Sequence, residues 1–171
     1  MGANIIFKYF AVIGALSGLI NAYMTYRRIK KMNQDHNDIA TNDEIEEFMK
    51  WYGVCFTVPF VCVQVFQLLG NYRTVFYIFL LDFDNPFYTL GFLSMVLFDV
   101  LLFYLIIIKD GAAFMAKYSK AFGNLPSDKQ KIKKFFALLI LVSLIVLLLG
   151  NRFMGGAFTA IEETRLIQQV I

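Results

Sequence analysis

Between Phe87 and Ile108 the chain reads FYTLGFLSMVLFDVLLFYLIII, an apolar stretch interrupted by one formal charge, Asp99. A helix of that length covers about 33 Å, enough to cross the roughly 30 Å hydrocarbon core of a bilayer. A helix that is apolar on every side does not rest on the surface of a soluble domain. A carboxyl near its middle costs roughly 2.5–3.5 kcal/mol on insertion scales, so another group has to compensate it. The stretch therefore predicts a membrane helix, and Asp99 is the leading candidate functional residue.

Three further apolar runs fall at about 5–24, 51–69 and 135–149. Apolar residues make up 58% of the 171-residue chain and mean hydropathy is +0.60, against roughly 45–50% apolar in soluble domains. The expected fold class is an all-α integral membrane protein: one four-span domain over 1–171, with short amphipathic helices on the membrane surface.

Charge placement predicts the topology. Of the 16 Lys and Arg residues, five lie in 25–50 and seven in 109–134. The positive-inside rule makes both segments cytoplasmic loops and puts both termini on the non-cytoplasmic side of a plasma (inner) membrane. The apolar N-terminal run lacks a basic segment before it and a small-residue cleavage site after it, so it reads as a span rather than a leader. Ile6 stands where myristoylation needs Ser or Thr.

Local signals place the helix ends. Thr41 and Glu44 form a capping box that starts a helix carrying Glu46 and Glu47 into the second span. Pro59 interrupts that span, and Gly70 ends it. Asp110–Phe122 is expected as a short surface helix, with Phe114, Tyr118 and Phe122 toward lipid and Lys117 and Lys120 turned away. Ser127 and Gln130 suggest a second capping box, and Thr159 a cap on a separate terminal helix. Residues 74–81 are apolar but too short to span, so they read as an interfacial or re-entrant segment.

Chemistry-bearing motifs are sparse. The single histidine, His36, has no second His or Cys ligand near it, so no metal or other cofactor is expected. Asp82, Asp84 and Asn85 read as a polar turn rather than a calcium loop. Cys55 and Cys62, seven residues apart, lie about 10 Å apart along one helix, too far for a disulfide. No hydrolase, zinc-protease or phosphate-loop signature occurs, so an enzyme is not expected. The basic residues flank spans instead of forming a patch on a soluble domain, so nucleic acid is not an expected partner.

Counting residues from the cytoplasmic charges gives depth. Asp99 lies ten residues from Lys109, Ser17 ten from Arg27, Ser143 nine from Lys134, and Thr57 seven from Lys50. At about 1.5 Å per residue these four fall within roughly 5 Å of one level. They form the expected intramembrane polar cluster, with three hydroxyls able to donate to Asp99. Asp99 then acts as interhelical glue, or lines a cation-favouring path around the axis of a homo-oligomer. Gly14, Gly18 and Ala22 repeat at small-xxx-small spacing, which suits close helix packing within the chain or between subunits. Arg27, Arg28, Lys30, Lys31, Glu46, Glu47, Lys117 and Lys120 form the expected contact set for lipid headgroups or a cytosolic protein partner.

Together these features point to a non-enzymatic multi-pass membrane subunit that oligomerises, docks a cytosolic partner, or both. The alternative is a small oligomeric ion channel or pore-forming membrane effector, for example of a bacterial defence system. A small-solute transporter ranks third, since inverted repeats are not evident.

Overall fold

The computed structural model describes residues 9–35, 41–70, 85–123 and 125–170, with backbone alone at Asp35, Asn151 and 153–170. Five α-helices follow in order: α1 Phe10–Asp35, α2 Asn42–Leu69, α3 Pro86–Phe103, α4 Gly111–Lys117 and α5 Lys129–Val170. A π-helical turn, Tyr104–Ile108, continues α3. No strand occurs among the described residues. Three of their stretches are long and apolar enough to cross a membrane: Asn42–Leu69, Pro86–Ile108 and Lys129–Gly150. The expected first span begins in residues outside the described ones and continues into α1. His36, residues 74–81, Asp82 and Asp84 also lie outside them.

Side chains set the helix ends. Thr41 Oγ1 accepts from the Glu44 amide at 3.3 Å while Glu44 Oε2 accepts from the Thr41 amide at 3.2 Å. This reciprocal pair satisfies two donors that no helical carbonyl can reach. Asn85 Oδ1 accepts from the Phe87 amide at 3.2 Å, and Pro86 follows at a position where its missing N–H costs nothing. The expected cap of α5 differs. Asp128, not Ser127, receives the Gln130 amide, at 2.8 Å, and Ser127 Oγ lies 3.4 Å from Ser119 Oγ instead.

α2 is the centre of the packing, with α1 on one side and α3 on the other; α3 and α4 in turn contact α5. Gly18 permits the closest approach of α1 to α2, since a Cβ there would stand 2.4 Å from the Phe56 carbonyl oxygen. Apolar side chains outside these seams face outward along the spans, including Leu16, Ile20, Leu97, Val100, Leu138 and Val142. Such a belt fits a hydrocarbon environment.

The main core lies at the basic end. Ile29, Ile45, Phe48, Tyr52, Leu105, Met115, Tyr118 and Ile132 are buried together there. The expected loops are thus largely ordered. α1 continues through Arg27–Lys31 to Asp35, and α2 begins at Asn42. The lysines and arginines point outward while Ile29 and Ile45 bury the inner face between the two extensions. The segment after α3 also differs from expectation. Phe114 and Phe122 pack on Phe48, Phe122 also on Tyr52, and the buried Tyr118 packs on Phe114, instead of facing lipid; Phe48 and Phe114 stack at 4.2 Å. Burial of several rings together outweighs what one exposed aromatic face gains at a headgroup surface.

α5 shows a third difference. It is one helix of 42 residues, about 63 Å long, continuous through Gly155, Gly156 and Thr159. A helical glycine costs only about 1 kcal/mol, which need not break a long helix.

Candidate functional site

Asp99 lies on the inner face of α3 and is 2% exposed. The nearby rings of Phe56, Phe60 and Phe98 pack against one another across the α2–α3 seam. On the opposite seam Ser143 of α5 approaches the carboxyl. Neither Oδ1 nor Oδ2 makes a hydrogen bond of ordinary geometry. A buried carboxyl with only one hydroxyl in reach is an unusual arrangement, because buried polar groups are normally satisfied.

The rest of the expected polar cluster separates. Ser17 is exposed on the outer face of α1. Thr57 lines a groove between α1 and α2, its Oγ1 buried without a hydrogen-bond partner. Only Ser143 meets Asp99. Gly14 and Gly18 sit against Phe60 and Phe56 of α2 within the chain, and Ala22 is buried in the main core.

At the basic end the charged residues surround an ordered surface. Arg27, Arg28, Lys30 and Lys31 are exposed on α1; the Arg27 guanidinium lies 6.0 Å from the Tyr23 ring and the Lys30 ammonium 5.8 Å from that of Tyr26. Glu46 accepts from the Tyr26 hydroxyl at 3.5 Å. Glu47 lies 3.7 Å from Lys109. Lys117, the last residue of α4, and Lys120 beyond it are exposed. Between α2 and α4 the ion pair Glu47–Lys109 borders a cleft of about 420 Å³ floored by Phe48, Trp51 and Phe114.

Several polar contacts connect residues distant in the chain, and residue spacing alone carries no signal for them. Asn21 Nδ2 donates to the Tyr52 hydroxyl at 3.0 Å. The buried Tyr118 hydroxyl donates to Asn33 Oδ1 at 3.2 Å; burial, with Glu44 nearby, pushes its phenol pKa up. Asp110 receives Lys129 and Lys133 of α5, and these two ammonium groups hold its carboxyl below the usual carboxylate range. This last contact follows directly on the π-helical turn Tyr104–Ile108.

Among the described residues no three His, Cys, Asp or Glu side chains converge as a metal site. Cys55 and Cys62 are free thiols. Chemically, the arrangement offers a carboxyl–hydroxyl pair inside the bundle and a rigid charged surface at its end. No family model, curated protein or solved structure matches the chain.

Proposed function

We propose that this chain is a non-enzymatic, four-span subunit of the plasma (inner) membrane, with α1 completing the fourth span. It docks a cytosolic protein through its basic end, self-associates in the bilayer, or both. One observation carries this reading: the charged end is a folded cap. Ile29, Ile45 and Tyr118 are sealed inside it, while Arg27, Lys30, Lys31, Glu46, Lys117 and Lys120 stand on its outside. A fixed charge pattern loses little conformational freedom on binding, so it suits docking better than a loose loop does.

The test is purification from native membranes in mild detergent, comparing wild type with the double variant Lys30→Glu, Lys31→Glu. A soluble protein held in fixed stoichiometry by wild type and lost from the variant is expected. A chain that purifies alone, or keeps its partner in the variant, overturns the docking role.

A small ion channel or pore-forming effector is the second reading, and the buried Asp99, approached by the Ser143 hydroxyl, favours it. Because that carboxyl faces Ser143 inside the chain, a path past it would follow the α3–α5 seam rather than an axis between subunits. Purified protein in planar bilayers tests this: a cation conductance abolished by Asp99→Asn supports it, and an unchanged conductance sinks it.

A further inference from the structure

The basic end contains a second feature, independent of its outer surface. A half-open cavity of about 230 Å³ lies between α1 and α5, lined by Asn21, Thr25, Arg28, Tyr52 and Phe136 and bordered by Phe122 and Leu125; Asn21 and Arg28 are exposed at its mouth. Asn21, Thr25 and Arg28 are spaced by four and three, so one face of α1 supplies all three.

Its polar groups share one character. Arg28 brings a guanidinium with five fixed donors. Its Nη1 reaches the Ala121 carbonyl only at 3.5 Å, the long limit for such a bond, and no described carboxylate pairs with it. Thr25, 2% exposed, adds a hydroxyl. Asn21 donates to the Tyr52 oxygen, which leaves the Tyr52 O–H directed to some other acceptor. No Asp or Glu lines the cavity. It is a recess of donors without an acceptor of matching charge, exposed at Asn21 and Arg28 and backed by the buried Thr25, Tyr52 and Phe136.

Its level in the bundle is equally specific. Charged residues give way to apolar ones at Lys50–Trp51 on α2, at Lys109 after α3, and at Lys134–Phe135 on α5. Tyr52 and Phe136 of the cavity wall stand one residue past two of these transitions, at the height of lipid phosphates. One water takes roughly 30 Å³ of liquid, so the space accommodates a tetrahedral oxyanion and the start of what it is attached to.

We infer that this cavity is a phosphate-binding site, with Arg28 as the charged clamp and Thr25 and Tyr52 as hydroxyl donors. Planar guanidinium and phosphate match in a bidentate geometry. The phosphate is either the headgroup of a phospholipid or a free ion. The inference does not rest on the docking role proposed above.

Two arms distinguish the sources. In lipid-stripped detergent, inorganic phosphate is titrated against chloride at matched ionic strength while thermal unfolding is followed through Trp51 fluorescence. In parallel, native mass spectrometry compares retention of phosphatidic acid with diacylglycerol, which has the same tails and no phosphate. Wild type is expected to bind phosphatidic acid and not diacylglycerol; a response to inorganic phosphate alone identifies the soluble ion instead. Arg28→Gln should weaken binding roughly tenfold, the loss of one charge-assisted contact. The near-isosteric Thr25→Val should weaken it severalfold, and Lys131→Gln, outside the cavity, should leave it unchanged. Binding of neither probe overturns the inference, as does wild-type affinity in Arg28→Gln and Thr25→Val, or an equal loss in Lys131→Gln.

Discussion

Lys133 Nζ lies 2.9 Å from Asp110 Oδ1 while Lys129 holds Oδ2, so the bend after α3 is tied to the first turns of α5. The same Asp110 has a left-handed backbone, φ 56° and ψ 29°. A non-glycine residue accepts that conformation at some cost, Asp and Asn at least cost. Next to it Gly111 lies so close to the Leu105 carbonyl and the Phe48 ring that a Cβ would fall within 2.7 Å of both. The bend is thus over-determined by packing on one side and charge on the other.

Asp110→Asn separates the two. Asn keeps the backbone tolerance and loses the charge, so the expected cost is about 0.2–1 kcal/mol, the range for partly exposed pairs; the Asp110 side chain is 43% exposed. Asp110→Val adds steric strain and should cost roughly 1–2 kcal/mol more. Because the lysines depress the folded pKa, the stabilisation is present above the unfolded value of 3.8 and is lost as pH falls through the lower folded value. Melting temperatures measured in detergent from neutral pH into acid should fall more for wild type than for Asp110→Asn, the curves converging below pH 3.8. Parallel curves would show that the pair contributes nothing.

The glycines of α1 differ in what faces them. An added Cβ at Gly18 meets backbone, Phe56 O at 2.4 Å, whereas at Gly14 it meets the Phe60 ring at 2.9 Å. A ring turns aside and a helix backbone does not. Gly18→Ala should therefore destabilise by about 1–3 kcal/mol. Gly14→Ala should be close to neutral, helped by the roughly 1 kcal/mol better helix propensity of alanine. Thermal unfolding of the two variants checks this; equal effects would mean that the α1–α2 seam adjusts freely.

Depth was legible in the sequence and rotation about the helix axis was not. Counting from Lys109 and Lys134 brings Asp99 and Ser143 to one level, and they do meet. The same count brings Ser17 and Thr57 to that level, yet packing turns Ser17 outward and Thr57 into the α1–α2 groove. Asn85, read as part of a polar turn, proves to cap α3, whereas the helix start with a chemical signature, Thr41–Glu44, was readable because its capping atoms are local. The extension of α1 past Arg28 was not, because Arg27–Lys31 reads as a polar loop until Ile29 finds Ile45. Tyr118 differed for the same reason: an aromatic face toward lipid and one toward the core have the same periodicity.

Phe48 is the hub of the aromatic cluster, contacting Tyr52, Phe114 and Phe122. Truncation there opens a cavity between α2, α4 and the turn that follows it, so Phe48→Ala should cost about 3–5 kcal/mol. Phe135, half exposed on α5, should lose under about 0.5 kcal/mol on the same change. Hydrogen exchange in α4 is the discriminating readout. Faster exchange of Gly111–Lys117 in Phe48→Ala alone is expected, and comparable exchange in both variants would remove Phe48 from its central place.

Asp99 allows the sharpest separation of stability from function. With neither carboxyl oxygen hydrogen-bonded in ordinary geometry, the group costs desolvation and recovers little of it. Replacing a poorly compensated buried polar group with an apolar one of similar volume is often neutral or stabilising, by about 1–4 kcal/mol. Asp99→Leu should therefore raise the melting temperature, and Asp99→Asn should leave it within a few degrees of wild type. Under the conducting role proposed above, the same Leu variant is expected to lose cation conductance while assembling normally. Ser143→Ala should reproduce part of the functional loss without the gain in stability. If Asp99→Leu instead melts well below wild type, the carboxyl is interhelical glue, and the α3–α5 seam is a packing contact alone.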